Sequence, residues 1–174
     1  MLTEALVIAF FIIGLQLMTP LLFAALGEVV SEKSGIFMPN DDKSRWKRDE
    51  WLMFQMAGIG PMQGQANVFG RYFDKKIPSA ISRYRNECRR LYSVLDNYLD
   101  GREWICDEYS IADIANWSWV RIYKWSEIDI SGLDNLRLWM DRMKARPACI
   151  KGVTIPPRAD ESAQVKSAKS MIQK

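Results

Sequence analysis

The residues that could carry chemistry in this 174-residue chain are few. It contains no histidine, which removes histidine-dependent catalytic triads and most zinc sites. Its three cysteines, Cys88, Cys106 and Cys149, are an odd number at wide spacings, so they supply neither a disulfide framework nor a Cys-x-x-Cys redox or metal pair. Cys88 falls on an apolar helical stripe and reads as a small buried hydrophobe; all three read as structural thiols of a reducing compartment. Ser110 and Asp113 have the spacing of a reciprocal helix cap. The Ser110 hydroxyl can accept from the backbone N–H of Asp113 while the Asp113 carboxylate reaches back to the Ser110 N–H. That is folding chemistry, and its loss would cost roughly 1 kcal/mol or more. The net charge of +3, with basic residues spread among acidic ones, gives no stripe for nucleic acid.

The elements that must position these residues read as helices. With 48% apolar and 26% charged residues, the chain has ordinary globular composition and is long enough for one sizeable core. Asn40, Asp41 or Asp42 can cap a helix from near Ser44 that continues through Gln55 and bends at Gly58, Gly60 and Pro61. A bent helix with glycines lets another backbone or a ligand come close. The helix from Pro78 to about Leu99 sets Ile81, Tyr84, Cys88, Leu91, Leu95 and Tyr98 at alternating three- and four-residue steps. After the Asp100-Gly101-Arg102 turn, the Ser110-capped helix is expected over Ile111 to about Trp125, with Tyr109 and Ile114 as a hydrophobic staple. A further helix runs from about Leu133 to Lys144, with Leu136, Trp139, Met140 and Met143 inward and Pro147 stopping it. No strand shows convincing alternation.

The two ends differ from this middle. Residues 5–26 carry no charge and are long enough to cross a bilayer at roughly 20 residues per span. The first basic residues, Lys33, Lys43, Arg45, Lys47 and Arg48, all follow the run, which would leave the bulk of the chain in the cytoplasm if it inserts. The other reading is an extra buried helix or a loosely placed tail. Residues 158–174, rich in Ser, Lys, Ala and Gln, read as a solvated tail with at most a frayed helix. The organisation expected is a hydrophobic helix over 1–30, a helical domain over 31–153 and a polar tail over 154–174.

The run from Trp51 to Gln65, then Ile77-Pro78 with Arg83-Tyr84, Arg90-Leu91-Tyr92, the stretch Tyr109 to Ile114 and Arg146-Pro147-Ala148 resemble the helical C-terminal domain of glutathione S-transferases. The likeness is to the bacterial nu-class branch of disulfide-bond oxidoreductase-like enzymes and covers residues 31 to about 153. It implies an all-α glutathione-transferase C-terminal helical bundle, here with an N-terminal hydrophobic helix and the thioredoxin-like domain absent. Residues 19–32 also resemble the early part of a permease subunit of sugar or nucleoside ABC importers. Together the two likenesses imply a rearranged reading frame joined near residue 30.

What the resemblance implies for function is glutathione conjugation or glutathione-dependent disulfide reduction, with glutathione as cosubstrate, a small electrophile or disulfide as partner, and no metal. The family activates the thiol on its thioredoxin-like domain. The only Glu-Ser dipeptide here, Glu161-Ser162, lies in the polar tail, so no catalytic residue is expected and the chain alone is not expected to catalyse. What remains is a half-site. By resemblance Arg83 reaches a glutathione carboxylate, a role that suits the two parallel donors of a guanidinium, and Gln65 and Asn67 line the same cleft. Met53, Met62, Trp117 and Trp119 either line an apolar acceptor pocket or pack in the core. The family's usual homodimer is expected to be impaired, leaving apolar surface exposed. The rival expectation is a non-catalytic, membrane-tethered or partner-binding helical module at the inner face of the plasma membrane.

Overall fold

The computed structural model describes residues 37, 39, 41–155 and 160–172. The apolar run 5–26, with its membrane reading, and the proposed join near residue 30 lie outside the described residues. Among those residues the fold is all-α, and the only sheet-like pairing is an isolated antiparallel bridge between Cys106 and Glu108. None of the described helices is long and apolar enough to cross a membrane.

Helix α1 (Asp42–Phe54) starts where Asp41, in extended conformation, accepts the Ser44 N–H at 3.0 Å. The sequence predicts a bend near Gly58 to Pro61. The chain instead passes through a π-helical turn, Gln55–Ile59, directly into α2 (Gly60–Asn67), and a second π-helical turn, Val68–Tyr72, closes the run. Pro61 falls in the first turn of α2, directly after the π-helical turn, so the change from π to α bonding sits where the proline removes a donor. Gly60 is required by crowding: a Cβ there would lie 2.9 Å from Gln55 Nε2, 3.2 Å from the Gln55 carbonyl and 3.4 Å from the Trp119 ring.

Helix α3 (Pro78–Tyr98) buries Cys88, Leu91 and Leu95 of the stripe that its spacing predicts, together with Tyr92 and Asp96, while Ile81, Tyr84 and Tyr98 of that stripe are half-buried. It ends at a turn in which Gly101 takes φ +67°, a left-handed conformation that glycine adopts without a Cβ penalty. Helix α4 (Ile111–Val120) is buried at every position and packs against α1, the first π-helical turn and the later helix Asp134–Ala145. It is shorter than its sequence suggests. Tighter bonds from Ile122 N to the Trp119 carbonyl and from Tyr123 N to the Val120 carbonyl end it, and Glu127 at φ +54° completes the turn.

Helix α5 (Asp134–Ala145) buries Leu136, Trp139 and Met143. The carboxylate of Asp96, from α3, accepts the Leu136 N–H at 2.8 Å, so α3 caps α5 across the core. Pro147 stops α5 as expected, and it also opens a short helix, α6 (Pro147–Gly152), that the sequence reading missed. The tail is helical too: α7 spans Glu161–Ile172, with Asp160 Oδ1 accepting from the Ala163 N–H at 2.8 Å and the Ser162 hydroxyl at 2.5 Å.

Candidate functional site

The three sequence-predicted cleft residues lie on two elements that pack together, the end of α2 and the start of α3. Gln65 is half-buried one turn before the second π-helical turn, and Asn67 is buried at the junction. Arg83 is exposed on the second turn of α3. What joins the two segments is the Phe69–Tyr84 pair, whose rings stack 5.5 Å apart at 7°; Phe73 packs on Phe69 at 5.7 Å. The sequence reading singled out Tyr84 as a stripe residue and passed over Phe69. Its position four residues after Gln65 was the available signal.

Polar atoms around this junction are unevenly satisfied. Asn67 Oδ1 and Arg85 Nε are buried without a hydrogen-bond partner, a costly arrangement for each group. Arg85 Nη2 reaches Glu127 Oε2 at 2.6 Å, and a Cβ at Gly70 would sit 3.1 Å from that same Nη2. Arg83 has a carboxylate one turn further on, at Glu87. Glu87 is held below its ordinary range mainly by the hydrogen bond from Arg90, and the nearby Arg83 charge adds to this. An anion approaching Arg83 therefore meets a Glu87 carboxylate already engaged by Arg90.

Of the proposed acceptor residues, three pack in or against the core and one faces outward. Trp117 and Trp119 are 4% and 6% exposed and belong to the core, and Met62 packs partly buried against it. Met53 faces outward at 56% exposure. Of two open cavities, one of about 420 Å³ lies beside Leu99, Arg102, Leu138 and Arg142 and one of about 300 Å³ beside Arg45, Trp46 and Asp49; none of the four acceptor residues lines either. The physical reason is the full burial of α4, which carries both tryptophans inward.

Gln63, which the sequence reading did not single out, is the polar centre of the packing. Its Nε2 donates to the Trp119 carbonyl and to the Ser126 hydroxyl, both at 3.0 Å, and its Oε1 accepts from the Tyr92 hydroxyl at 2.6 Å. One fully buried amide thus ties α2 to α3, α4 and the turn after α4. Its sequence neighbour Gln65 carries the cleft reading, and nothing local distinguishes the two glutamines.

Asp113 and the thiols are not placed for chemistry. The capping reciprocity of Ser110 and Asp113 is present, and Asp113 does more than cap. Its Oδ2 accepts from the Ser110 N–H and hydroxyl, and its Oδ1 from the Ile105 N–H and the Trp139 indole. Burial pushes this carboxyl up to about 6, against the opposing pull of those four donors. Burial also pushes the Cys88 and Cys106 thiols up to about 12, and Cys149 is fully buried. Protonated, sealed thiols are poor nucleophiles. Among the described residues no group of three or more Cys, Asp or Glu side chains is arranged to hold a metal ion. The arrangement can offer an exposed guanidinium, amides and an aromatic stack to a ligand, and it holds no placed base or nucleophile.

The model of the glutathione S-transferase C-terminal domain matches residues 68–147. The disulfide-bond oxidoreductase YfcG of Escherichia coli is 39% identical over 120 residues, covering 68% of this chain and 56% of the relative. A second Escherichia coli disulfide-bond oxidoreductase, YghU, is 33% identical over 132 residues, covering 71% of this chain and 46% of the relative. A glutathione transferase from Pseudomonas putida, crystallised with one glutathione disulfide per subunit, superposes with a TM-score of 0.71 at 36% identity. The match covers 77% of this chain and 61% of that one. The chain spans about half the length of the curated relatives it matches.

Proposed function

We propose, from the premise that this chain carries the C-terminal helical domain of the glutathione S-transferase family, that it supplies the helical half of a glutathione-binding cleft. In this reading Arg83 pairs with a carboxylate of glutathione, and Gln65 and Asn67 face the peptide. The reaction served is glutathione conjugation or glutathione-dependent disulfide reduction, with residues 31–153 as the binding domain.

The observation that carries the reading is the Phe69–Tyr84 stack, which fixes the Asn67 segment against the Arg83 turn. The unpaired Asn67 Oδ1 adds an acceptor that a ligand N–H would satisfy after a small side-chain rotation. A carboxylate held by a guanidinium fork is a charge-assisted contact of the stronger kind. The chain's own thiols have no part in this chemistry, since Cys88 and Cys106 stay protonated in the core. The thiol that reacts is glutathione's own, and its activation falls to groups outside the described residues.

The test is calorimetric titration of reduced and oxidised glutathione into the purified chain, with Arg83→Ala as control. Binding between micromolar and low millimolar, roughly 4 to 8 kcal/mol, that disappears in the control supports the half-site. No heat at millimolar ligand removes it. A second reading, a partner-binding module without catalysis, is favoured by one surface: Trp46 and Met53 are 75% and 56% exposed on α1 and, seven residues apart, lie on one face.

A further inference from the structure

Helix α7 is held by charge at both ends. Glu161 Oε1 lies 3.1 Å from Arg71 Nη1, and Lys169 Nζ lies 2.6 Å from Asp74 Oδ1. Between these ties the helix offers little to bury. Over 161–170 only Gln164, Val165, Ala168 and Lys169 are half-buried, and none is fully buried. A helix of this length is marginal alone in water, and exposed ion pairs are weak and screened by salt. Its docking on the Val68–Tyr72 turn therefore combines a half-buried face with two ion pairs that solvent ions can compete with.

Arg71 makes one of those contacts matter elsewhere. Its Nε donates to the Trp125 carbonyl, its guanidinium lies 4.1 Å over the Trp125 ring, and its Nη2 is 3.8 Å from Glu127. Trp125 in turn donates its indole N–H to the Tyr72 hydroxyl at 3.1 Å. A single guanidinium therefore joins α7, the turn after α4 and the π-helical turn Val68–Tyr72. At Asp74, two residues beyond that turn, α7 makes its other tie.

We propose that α7 is an electrostatic strap: salt, or loss of its charged ties, releases it, and its release loosens the segment 68–76 through Arg71 and Asp74. The device acts on the segment that follows Asn67, and it holds whether or not glutathione is the ligand.

Amide hydrogen exchange on the full chain tests this, in about 0.02 M and about 0.5 M salt, conditions that shorten the screening length from about 20 Å to about 4 Å. The variants are Glu161→Gln, Lys169→Glu and the re-paired double variant Lys169→Glu with Asp74→Lys. High salt and either single variant are expected to cut protection of 161–172 about two- to fivefold and to lower that of 68–76. The re-paired variant restores both, and α3 amides stay protected throughout. Protection of 161–172 that ignores both salt and the single variants overturns the proposal. So does unchanged exchange in 68–76 once α7 is released, and so does loss of α7 only together with α3, which would make it part of the cooperative core.

Discussion

The indole of Trp139, on α5, donates to Asp113 Oδ1 at 2.9 Å, and the same carboxylate holds the first turn of α4. One side chain therefore fastens the central helix to α5 and, through the Ile105 N–H, to the loop before it.

Asp113→Asn tests that fastening. Each carboxylate oxygen faces two donors, so either orientation of an amide points its NH2 at donors. The variant is expected to lose about 2 to 4 kcal/mol in urea denaturation. A loss below about 1 kcal/mol would mean the cap contributes no more than an ordinary exposed one.

The same carboxyl sets a pH dependence. Its value rises from 3.8 unfolded to about 6 folded, so the folded chain binds the extra proton. Its contribution is complete below about pH 4 and is lost as pH rises through 6, by on the order of 3 kcal/mol. The carboxylates held low, Asp41, Glu87, Asp129 and Asp160, work the other way but are shared with Asp113→Asn. The stability difference between wild type and that variant should therefore narrow between pH 4 and 7. A difference that widens with pH contradicts the sign.

Gln63→Leu leaves the Tyr92 hydroxyl, the Ser126 hydroxyl and the Trp119 carbonyl without their shared partner. Destabilisation of about 2 to 5 kcal/mol is expected from thermal or urea unfolding. Gln65→Leu, about 200° further round the helix and half-buried, should cost less than about 1 kcal/mol. Equal costs would refute the distinction between the two glutamines.

Gln55 supplies the opposite case. It is 1% exposed and neither amide atom has a partner, so Gln55→Met removes an unpaid desolvation at nearly constant volume. A gain of about 1 kcal/mol is expected. A clear loss of stability would show that the amide finds a partner in solution.

Thiol labelling checks the exclusion of the cysteines from chemistry. With Cys88 and Cys106 raised to about 12 and all three buried, none should react with an aromatic disulfide reagent in the native chain at pH 8, and all should react once it is denatured. Rapid labelling of a native thiol would reopen a redox role for the chain itself.

Much of the helical order is legible because local signals agree with the packing. Pro78, the three- and four-residue steps to Tyr98, and the Ser110–Asp113 reciprocity each point to the element that forms. The tail is a different matter: α7 is fixed by Arg71 and Asp74, partners about ninety residues away, and no window of local sequence contains them. The same holds for the site. Arg83, Gln65 and Asn67 came from family likeness, while the Phe69–Tyr84 stack that relates their segments depends on how two helices cross. For Trp117 and Trp119 the sequence favours core over pocket without deciding between them, since an all-buried helix has no polar face to betray its orientation.

The π-helical turns carry a consequence in the language of insertion and deletion. A π turn closes i to i+5 bonds where an α turn closes i to i+4, so Gln55–Ile59, with helix on both sides, is equivalent to one residue inserted into an otherwise continuous helix, whereas Val68–Tyr72 ends its run. Deleting a single residue from the first turn would let α1 and α2 fuse in α register. Every side chain on one side would then be rotated by about 100° against the other. Either the Arg48, Trp51 and Leu52 face or the Gln63, Ala66 and Asn67 face would turn toward solvent. A one-codon deletion here is thus a change of facing for half a helix, whereas the same deletion in the turn at 100–102 only shortens a connection.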